Sequence, residues 1–398
     1  MKLMTGNLLV MQSGIASVVG NATLYGILSE ALNYESIEEI YGCYNGFEGL
    51  QQGNFLDLAA LPQKSARMLL HTAGFALRSE GAAFDSTHCD YARMLQNLQE
   101  KGVHLMCCIC DSSTLPLVNL FLEAARKANY DLQVIAIPQS NTNELPLSDH
   151  SLGYGSYLKC LNAHILEFNQ WLRNSGEKVG IYEVSGGSNG WLAAGVALGS
   201  AAANKSGSME KNPFLVCLPE QPLNESLLTE LIQEKINACG YACVVTNHQL
   251  VNDEGEFLDL CAYNYSMAQY LDACIQDKLG FSSRINFCPL HLQALSHFIS
   301  KQDQTEAIES GRTAVRQLMD GDGDAKALVL VRKDSDHYDF GVDLVDWSEL
   351  LTGLKFFPTD WTSDAMCINY PFVKYALPLI QGEVDVCYEK GLPQLVQL

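Results

Sequence analysis

Short, nearly continuous apolar runs alternate along the chain with longer segments in which apolar residues recur every three or four positions. NLLVMQ (Asn7 to Gln12) is followed by small residues and then by NATLYGILSEAL, apolar on one helical face. VHLMCCIC (Val103 to Cys110) precedes LPLVNLFLEAARKANY, and LQVIAIP follows that. EKVGIYEVSG precedes GWLAAGVALGSAAA, PFLVCLPE precedes ESLLTELIQEKINACG, YACVVTN closes the series, and KALVLVR comes late. A strand buried on both faces needs apolar residues throughout, whereas a helix laid over it needs one apolar stripe. The alternation therefore predicts parallel α/β sheets, doubly wound and in two lobes. Ligands of such sheets sit outside the carboxyl ends of the strands, so the loops after each run are where chemistry is expected.

Three loops qualify. Gln12-Ser13-Gly14-Ile15-Ala16-Ser17-Val18-Val19-Gly20-Asn21-Ala22 places small residues between a strand and a helix, as in a phosphate cradle made of backbone N–H groups. A tight turn without ligand reads equally from it, since Ile15 is bulky where a cradle favours a second glycine. Asp111-Ser112-Ser113-Thr114 puts a carboxylate and hydroxyls at a strand end, suited either to Mg²⁺ on a diphosphate or to capping the next helix. The long polar run from Pro138 to Pro146, continued from Ser148 to Ser156, is a functional loop by its length and composition.

Charge narrows the field. Lys+Arg 25 against Asp+Glu 46 gives a formal net charge of −21, which disfavours phosphate backbones and anionic lipid as partners. A phosphorylated substrate would have to find its positive charge in a chain short of it. The 398 residues suit two or three domains. Fourteen cysteines in a chain this long read as small core residues in a reducing cytoplasm rather than as a disulfide framework. The nine histidines show neither H-E-x-x-H nor finger spacing. The first residues do not form a signal peptide, and no run reaches membrane-spanning length.

Six separated blocks then carry a resemblance to one family. Gln12 to Ala22 is similar to Q-S-G-G-x-T-x-x-x-N-A, and Tyr41 to Leu50 to G-x-x-G-x-x-G-L. Pro138 to Lys159 matches P-K-T-[IV]-D-N-D-L-P-x-T-D-H-x-P-G-[FY]-G-S-x-x-K without a gap, and Ile181 to Trp191 resembles V-L-E-V-M-G-R-H-A-G-W. Leu218 to Leu223 resembles F-P-E-V-P-F, and Tyr375 to Glu383 resembles the closing Y-x-x-P-L-I-Q-G-E. The chain thus resembles the pyrophosphate-dependent phosphofructokinases, which make fructose 1,6-bisphosphate from fructose 6-phosphate and diphosphate in glycolysis. The resemblance implies the phosphofructokinase fold, two Rossmann-like doubly wound lobes with the active-site cleft between them. Residues 1–153 with about 267–345 would form the phosphoryl-donor lobe, and 154–266 with about 346–398 the sugar-phosphate lobe.

The departures fall where that chemistry is done. Thr142 stands at the family's catalytic Asp and cannot accept a proton near neutral pH. Gln139 stands at the Lys that neutralises the transferring phosphoryl group, Gly187 at the Arg that meets the sugar phosphate, with Ser185 for Met and Gly186 between them. Gly81 stands at an Arg beside the donor phosphates, which Arg78 would replace only after a loop shift. In the donor site the resemblance places Gly14, Ile15, Gly81, Arg78, Asp111 and Ser112; in the sugar-phosphate site it places Ser140, Asn143, Glu144, Ser185, Gly186, Gly187 and Glu220. Asp111 and Glu144 occupy the two acidic positions nearest the family's Mg²⁺. Ile15 and Cys108 filling the donor space would mark it as closed.

Two functions of different class follow. One is a catalytically silent homologue acting by binding or regulation, a homodimer or homotetramer by resemblance, or a hetero-oligomer with an active paralogue. The other is an active diverged phosphofructokinase, or a phosphotransferase for another substrate, which needs a replacement base from among His150, Asp149 and Glu144.

Overall fold

In the computed structural model, which describes residues 5–80, 84–185, 187–199, 212–258, 260, 266–288, 294–363 and 365–398, every apolar run named above is a strand. By its contacts the chain divides into two compact units. Unit 1 comprises Met1–Ser156, Gln293–Leu354 and Gly382–Leu398; unit 2 comprises Tyr157–Leu292 and Lys355–Gln381.

Unit 1 holds an eight-stranded sheet. Its strands are β1 (Asn7–Ser13), β2 (Ile40–Cys43), β3 (Phe55–Asp57), β4 (Val103–Cys110), β5 (Gln133–Ser140), β6 (Leu152–Gly153), β11 (Lys326–Arg332) and β12 (Phe340–Asp346). The order β12-β11-β5-β4-β1-β2-β3, with β6 beside the end of β5, puts β1, β4 and β5 side by side and parallel in the middle. Their residues are almost wholly buried, which is why they read as continuous apolar runs. Only the margins are antiparallel, β3 on β2 and β12 on β11. Neither β3 nor β12 has a buried residue, so neither leaves an apolar run in the sequence.

Helices α1 (Gly20–Ala31), α2 (Gly46–Gln52), α3 (Gln63–Met68), α4 (Tyr91–Glu100) and α5 (Leu115–Lys127) follow the first strands. Beneath α4 and α5 lies a core of Leu9, Met11, Cys108, Cys110, Phe47, Phe121 and Trp347. Cysteine serves there as a small apolar residue, and burial pushes the Cys107 thiol far above its ordinary value. All cysteines among the described residues are free thiols.

Helix α6 (Tyr154–Ser175) leads from unit 1 into unit 2, whose sheet has the order β10-β7-β9-β8 and is parallel throughout. Its strands are β7 (Val179–Val184), β8 (Phe214–Cys217), β9 (Ala242–Asn247) and β10 (Ser283–Phe287). Helices α7 (Trp191–Val196), α8 (Glu225–Cys239) and α9 (Met267–Leu279) connect them. Asn224 caps α8 by accepting from the Leu227 N–H, Ser266 and Gln269 form a reciprocal cap on α9, and both helices end on a glycine of positive φ. The returning segment packs Phe357, Trp361 and Tyr375 around Trp191, with Phe372 against those three, at ring-centroid distances of 5.2–6.3 Å. Among the described residues no helix is long and apolar enough to cross a membrane.

Unit 1 closes with α10 (Lys301–Asp320) and α11 (Trp347–Leu350), and α12 (Tyr370–Ala376) belongs to unit 2. The contact between α10 and α1 is a glycine-to-backbone crossing. A Cβ on Gly311 would come 2.4 Å from the Thr23 carbonyl oxygen, and one on Gly26 would come 2.3 Å from that of Ile308. Arg316 Nε and Nη2 clasp both carboxylate oxygens of Glu30 at 3.1 and 3.2 Å, fixing the register along the crossing.

Gly311→Ala and Gly26→Ala pit helix propensity against this crossing. Alanine gains about 1 kcal/mol in a helix interior, whereas overpacking a fixed contact costs about 1–3 kcal/mol. Backbone cannot give way as a side-chain tip can, so each variant is expected to unfold at lower denaturant than the wild type. A variant of equal or greater stability in urea titration would show that the helices separate freely.

Candidate functional site

The central strands of unit 1 end at Ser13, Cys110 and Ser140, and the loops that follow are hydrogen-bonded to one another. Asn141 Nδ2 donates to the Ala16 carbonyl at 3.0 Å, and its Oδ1 accepts from the Val18 N–H at 3.3 Å. Ser112 Oγ donates to Glu144 Oε1. Gly14, Ile15, Asp111, Ser112, Ser140, Asn143 and Glu144 are thereby brought to one end of the sheet, as parallel topology requires. Gly81 and Gly186 lie outside the described residues.

Gly14 has φ +81° and would bring a Cβ to 2.3 Å from Asp111 Oδ1, so only glycine admits the carboxylate this close. Asp111 Oδ2 accepts from the Ile15 N–H at 3.0 Å. Its Oδ1 accepts from Ser113 Oγ, the Thr114 N–H and Thr114 Oγ1 at 2.8–2.9 Å. Three of these bonds fall on Oδ1 and one on Oδ2, so Asp111 braces the turn before α5 and keeps one acceptor position, on Oδ2, for a cation. Among the described residues no group of three or more His, Cys, Asp or Glu could hold a metal ion.

Ile15 and Cys108 do not fill the donor space as the sequence allowed. The Ile15 side chain is 64% exposed and Cys108 is wholly buried in the core. The acceptor that meets the loop is one that no local pattern marks, Glu80. Its Oε1 accepts from Ser13 Oγ at 2.7 Å and from the Gly14 N–H at 3.0 Å, and its Oε2 accepts from the Phe47 N–H at 3.4 Å. Arg78, at φ +59°, stacks its guanidinium 4.9 Å above the Tyr44 ring.

Gln139 is buried and its Nε2 donates to Thr23 Oγ1 of α1 at 2.6 Å, which turns the amide into the interior. Thr142 Oγ1 is 2.8 Å from Ser140 Oγ, which also accepts from the Thr142 N–H at 3.2 Å. Asn143 has φ +59°, and its Oδ1 accepts from the Ser151 N–H at 2.9 Å, closing the long loop.

That loop is anchored by charges that sequence reasoning did not find, because they come from α10. His150 is buried, with Nε2 donating to Glu306 Oε2 at 2.8 Å and Nδ1 to Asp149 Oδ2 at 3.0 Å. Burial opposes a charge on the imidazole, but the Glu306 carboxylate and the two hydrogen bonds outweigh it and raise its pKa to about 9. Burial likewise opposes ionisation of Asp149, and its bonds to His150 and Arg332 prevail, holding its carboxyl at about 2. Glu306 is also held below its ordinary range by His150. Both imidazole nitrogens are thus committed as donors. Asp303 accepts from the Gly153 and Ser156 N–H groups at 2.9 and 2.8 Å, and burial raises its carboxyl to about 6.

In unit 2, Ser185 and Gly187 follow β7 and are exposed, Gly187 with φ +68°. Glu220 follows β8, where its Oε1 accepts from the Gly190 and Phe357 N–H groups at 2.8 and 2.9 Å. Its Oε2 is buried without a partner among the described residues, and burial raises its pKa.

The raised His150 pKa sets a pH dependence. A cation stabilised in the folded state contributes fully below its unfolded pKa of about 6.5, and that contribution is lost as pH rises through about 9. Asp303, at about 6, completes its titration at the acid edge of this window, and Asp149 and Glu306 titrate below it. Unfolding free energy is expected to fall by up to about 3 kcal/mol across it, at 1.36 kcal/mol per pKa unit. Urea titrations at both ends, with imidazole NMR to follow His150, check this; a flat profile would refute it.

The phosphofructokinase family model matches residues 7–318. The chain is 25% identical over 403 aligned residues to the pyrophosphate–fructose 6-phosphate 1-phosphotransferase of Halomonas elongata, covering 97% of this chain and 94% of that protein. It is 23% identical to the enzyme of the same name from Methylococcus capsulatus, over 97% and 94%. The crystal structure of a pyrophosphate-dependent phosphofructokinase from Nitrosospira multiformis superposes with a TM-score of 0.88 at 23% identity, over 98% of this chain and 96% of that one. With the family model spanning most of the chain and the fold agreeing over nearly its full length, this protein belongs to the phosphofructokinase family.

Proposed function

We propose that this chain is a catalytically silent phosphofructokinase, one that keeps the family's fold and binds a partner or metabolite without transferring phosphoryl groups. The relatives named above are pyrophosphate-dependent enzymes, and their reaction is the reference against which the site is read. The proposed phosphoryl-donor lobe, 1–153 with about 267–345, overlaps most of unit 1, and the sugar-phosphate lobe, 154–266 with about 346–398, most of unit 2; the units differ in that 267–292 belongs to unit 2 and 382–398 to unit 1.

The observation that carries the proposal is the environment of Thr142. Its hydroxyl stands where a base would remove a proton from the sugar, and it is bonded to another hydroxyl, that of Ser140. The three replacements available on the loop are otherwise engaged. His150 is held protonated with both nitrogens donating, Asp149 is held ionised by Arg332 and His150, and Glu144 accepts from Ser112. Gln139, at the position of the family's Lys, brings no charge and faces Thr23. Phosphoryl transfer rests on positioning and on charge that stabilises the transferring group. Removing a general base or an electrostatic stabiliser costs roughly two to four decades in rate, so joint loss leaves little of the reaction. The alternative, an active enzyme of altered chemistry, would have to draw its base from Glu144, which accepts from Ser112 through Oε1.

Within the same proposal the protein is cytoplasmic and homo-oligomeric, as a dimer or tetramer, with a paralogous active subunit as a further partner. The net charge of −21 argues against nucleic acid and membranes as partners. Mg²⁺ is the cofactor if a ligand is bound, with Asp111 and Glu144 the carboxylates that would hold it.

Fructose 1,6-bisphosphate formation with diphosphate or ATP and Mg²⁺ is expected to stay far below about one turnover per second, the low end of ordinary enzyme rates. Thr142→Asp alone is expected not to restore it, because the cations are missing too. Turnover above that rate in the wild type would overturn the proposal, and recovery by the single substitution would refute the account of the missing charges.

A further inference from the structure

We infer that Glu80 is a resident anion of the Ser13–Ile15 loop, and that it is the residue that weakens the binding of a phosphoryl donor there. The inference rests on the reading of that loop as the family's donor side. Backbone N–H groups converging at a strand end, with glycine allowing close approach, bind phosphate oxygens. Here the same groups already hold carboxylate oxygens of the protein. Glu80 Oε1 takes Ser13 Oγ and the Gly14 N–H at 2.7 and 3.0 Å, and the next amide, that of Ile15, is taken by Asp111 Oδ2 at 3.0 Å.

Two glycines give the carboxylates this approach. A Cβ on Gly46, at φ +55°, would lie 1.8 Å from Glu80 Oε2, and one on Gly14 would lie 2.3 Å from Asp111 Oδ1. Glu80 is only partly buried, so it faces both the amides and the space a ligand would enter. A diphosphate arriving there loses twice. It must displace hydrogen bonds to an ionised acceptor, which are stronger than those between neutral groups, and it must sit beside two carboxylates of its own sign. Arg78, the nearest cation in the sequence, is stacked on Tyr44 rather than paired in this loop. Removing the charge of Glu80 reverses the larger part of this: the Gly14 and Phe47 amides become available, and one repulsion disappears.

Isothermal titration with inorganic diphosphate, with and without Mg²⁺, tests this on the full chain. Glu80→Ala is expected to bind at least about tenfold more tightly than the wild type, a difference well resolved by titration. Glu80→Gln keeps the side-chain volume and is expected to move in the same direction, which preserves the test should the alanine variant fail to fold. Hydrogen exchange in the unsubstituted protein supplies an independent reading: the Gly14 amide is expected to be protected without ligand, and its protection unchanged by diphosphate. Equal affinity of wild type and variants, or diphosphate-dependent protection of Gly14 in the wild type, overturns the inference. The outcomes separate it from catalytic silence. A wild type that turns over substrate, with a lower KM for diphosphate in Glu80→Ala, refutes silence and keeps the role of Glu80. A silent wild type whose affinity is insensitive to Glu80 does the opposite.

Discussion

Amide groups at the carboxyl ends of parallel strands point out of the sheet and must find acceptors, and how this chain meets that requirement organises unit 1. A buried donor left unbonded costs about 1–3 kcal/mol, so each such amide constrains the side chains around it. Glu80 serves Gly14, Asp111 serves Ile15 and Thr114, Asn141 serves Val18, Asn143 serves Ser151, and Asp303 serves Gly153 and Ser156. Every one of these acceptors is a side chain, and several come from distant parts of the chain. The geometry that lets a fold present amides to a phosphate thus also lets the protein satisfy them itself.

The second consequence is electrostatic. Helix α10 carries Asp303 and Glu306 into the interior, and the fold tolerates them because each is fully engaged, by backbone amides in the first case and by His150, Tyr338 and Gln302 in the second. The helix reaches that depth because Gly26 and Gly311 let it lie against α1. Packing therefore bears on protonation: the close crossing brings Glu306 to His150, and the Glu306 carboxylate is the largest of the influences that raise the imidazole's pKa against burial. A charge network committed to bracing a loop is also one withdrawn from acid–base chemistry, which links the packing of α10 to the proposed silence of the site.

Family membership and the proposed alteration of the site are compatible because they rest on different residues. The central strands are held by apolar side chains and ladder bonds that no substrate touches, so replacements in the loops leave them intact. Gln139 illustrates the division. It is the second-last residue of β5, where its Nε2 donates to Thr23 and its buried Oε1 has no partner among the described residues, so a neutral amide belongs to the core packing there.

The arrangement of the central strands and their helices was legible in the sequence because burial on both faces demands unbroken apolar runs. The margins, β3 and β12, were not legible, since an unburied strand obeys no such demand. Of the site, the positions of Gly14, Asp111, Ser140, Asn143 and Glu144 at one sheet end followed from local pattern and parallel topology. What those residues do there did not follow. That Asp111 braces a turn is not evident until its four hydrogen bonds are seen, and Ile15 reads as a plug until it is found exposed. Glu80 and Glu306 left no signal at all, because their partners lie 66 and 156 residues away. Sequence alone thus determined which backbone ends meet. Only tertiary structure decided which carboxylates turn inward to fill the amides, since that depends on long-range approach through glycines rather than on any neighbour in the chain.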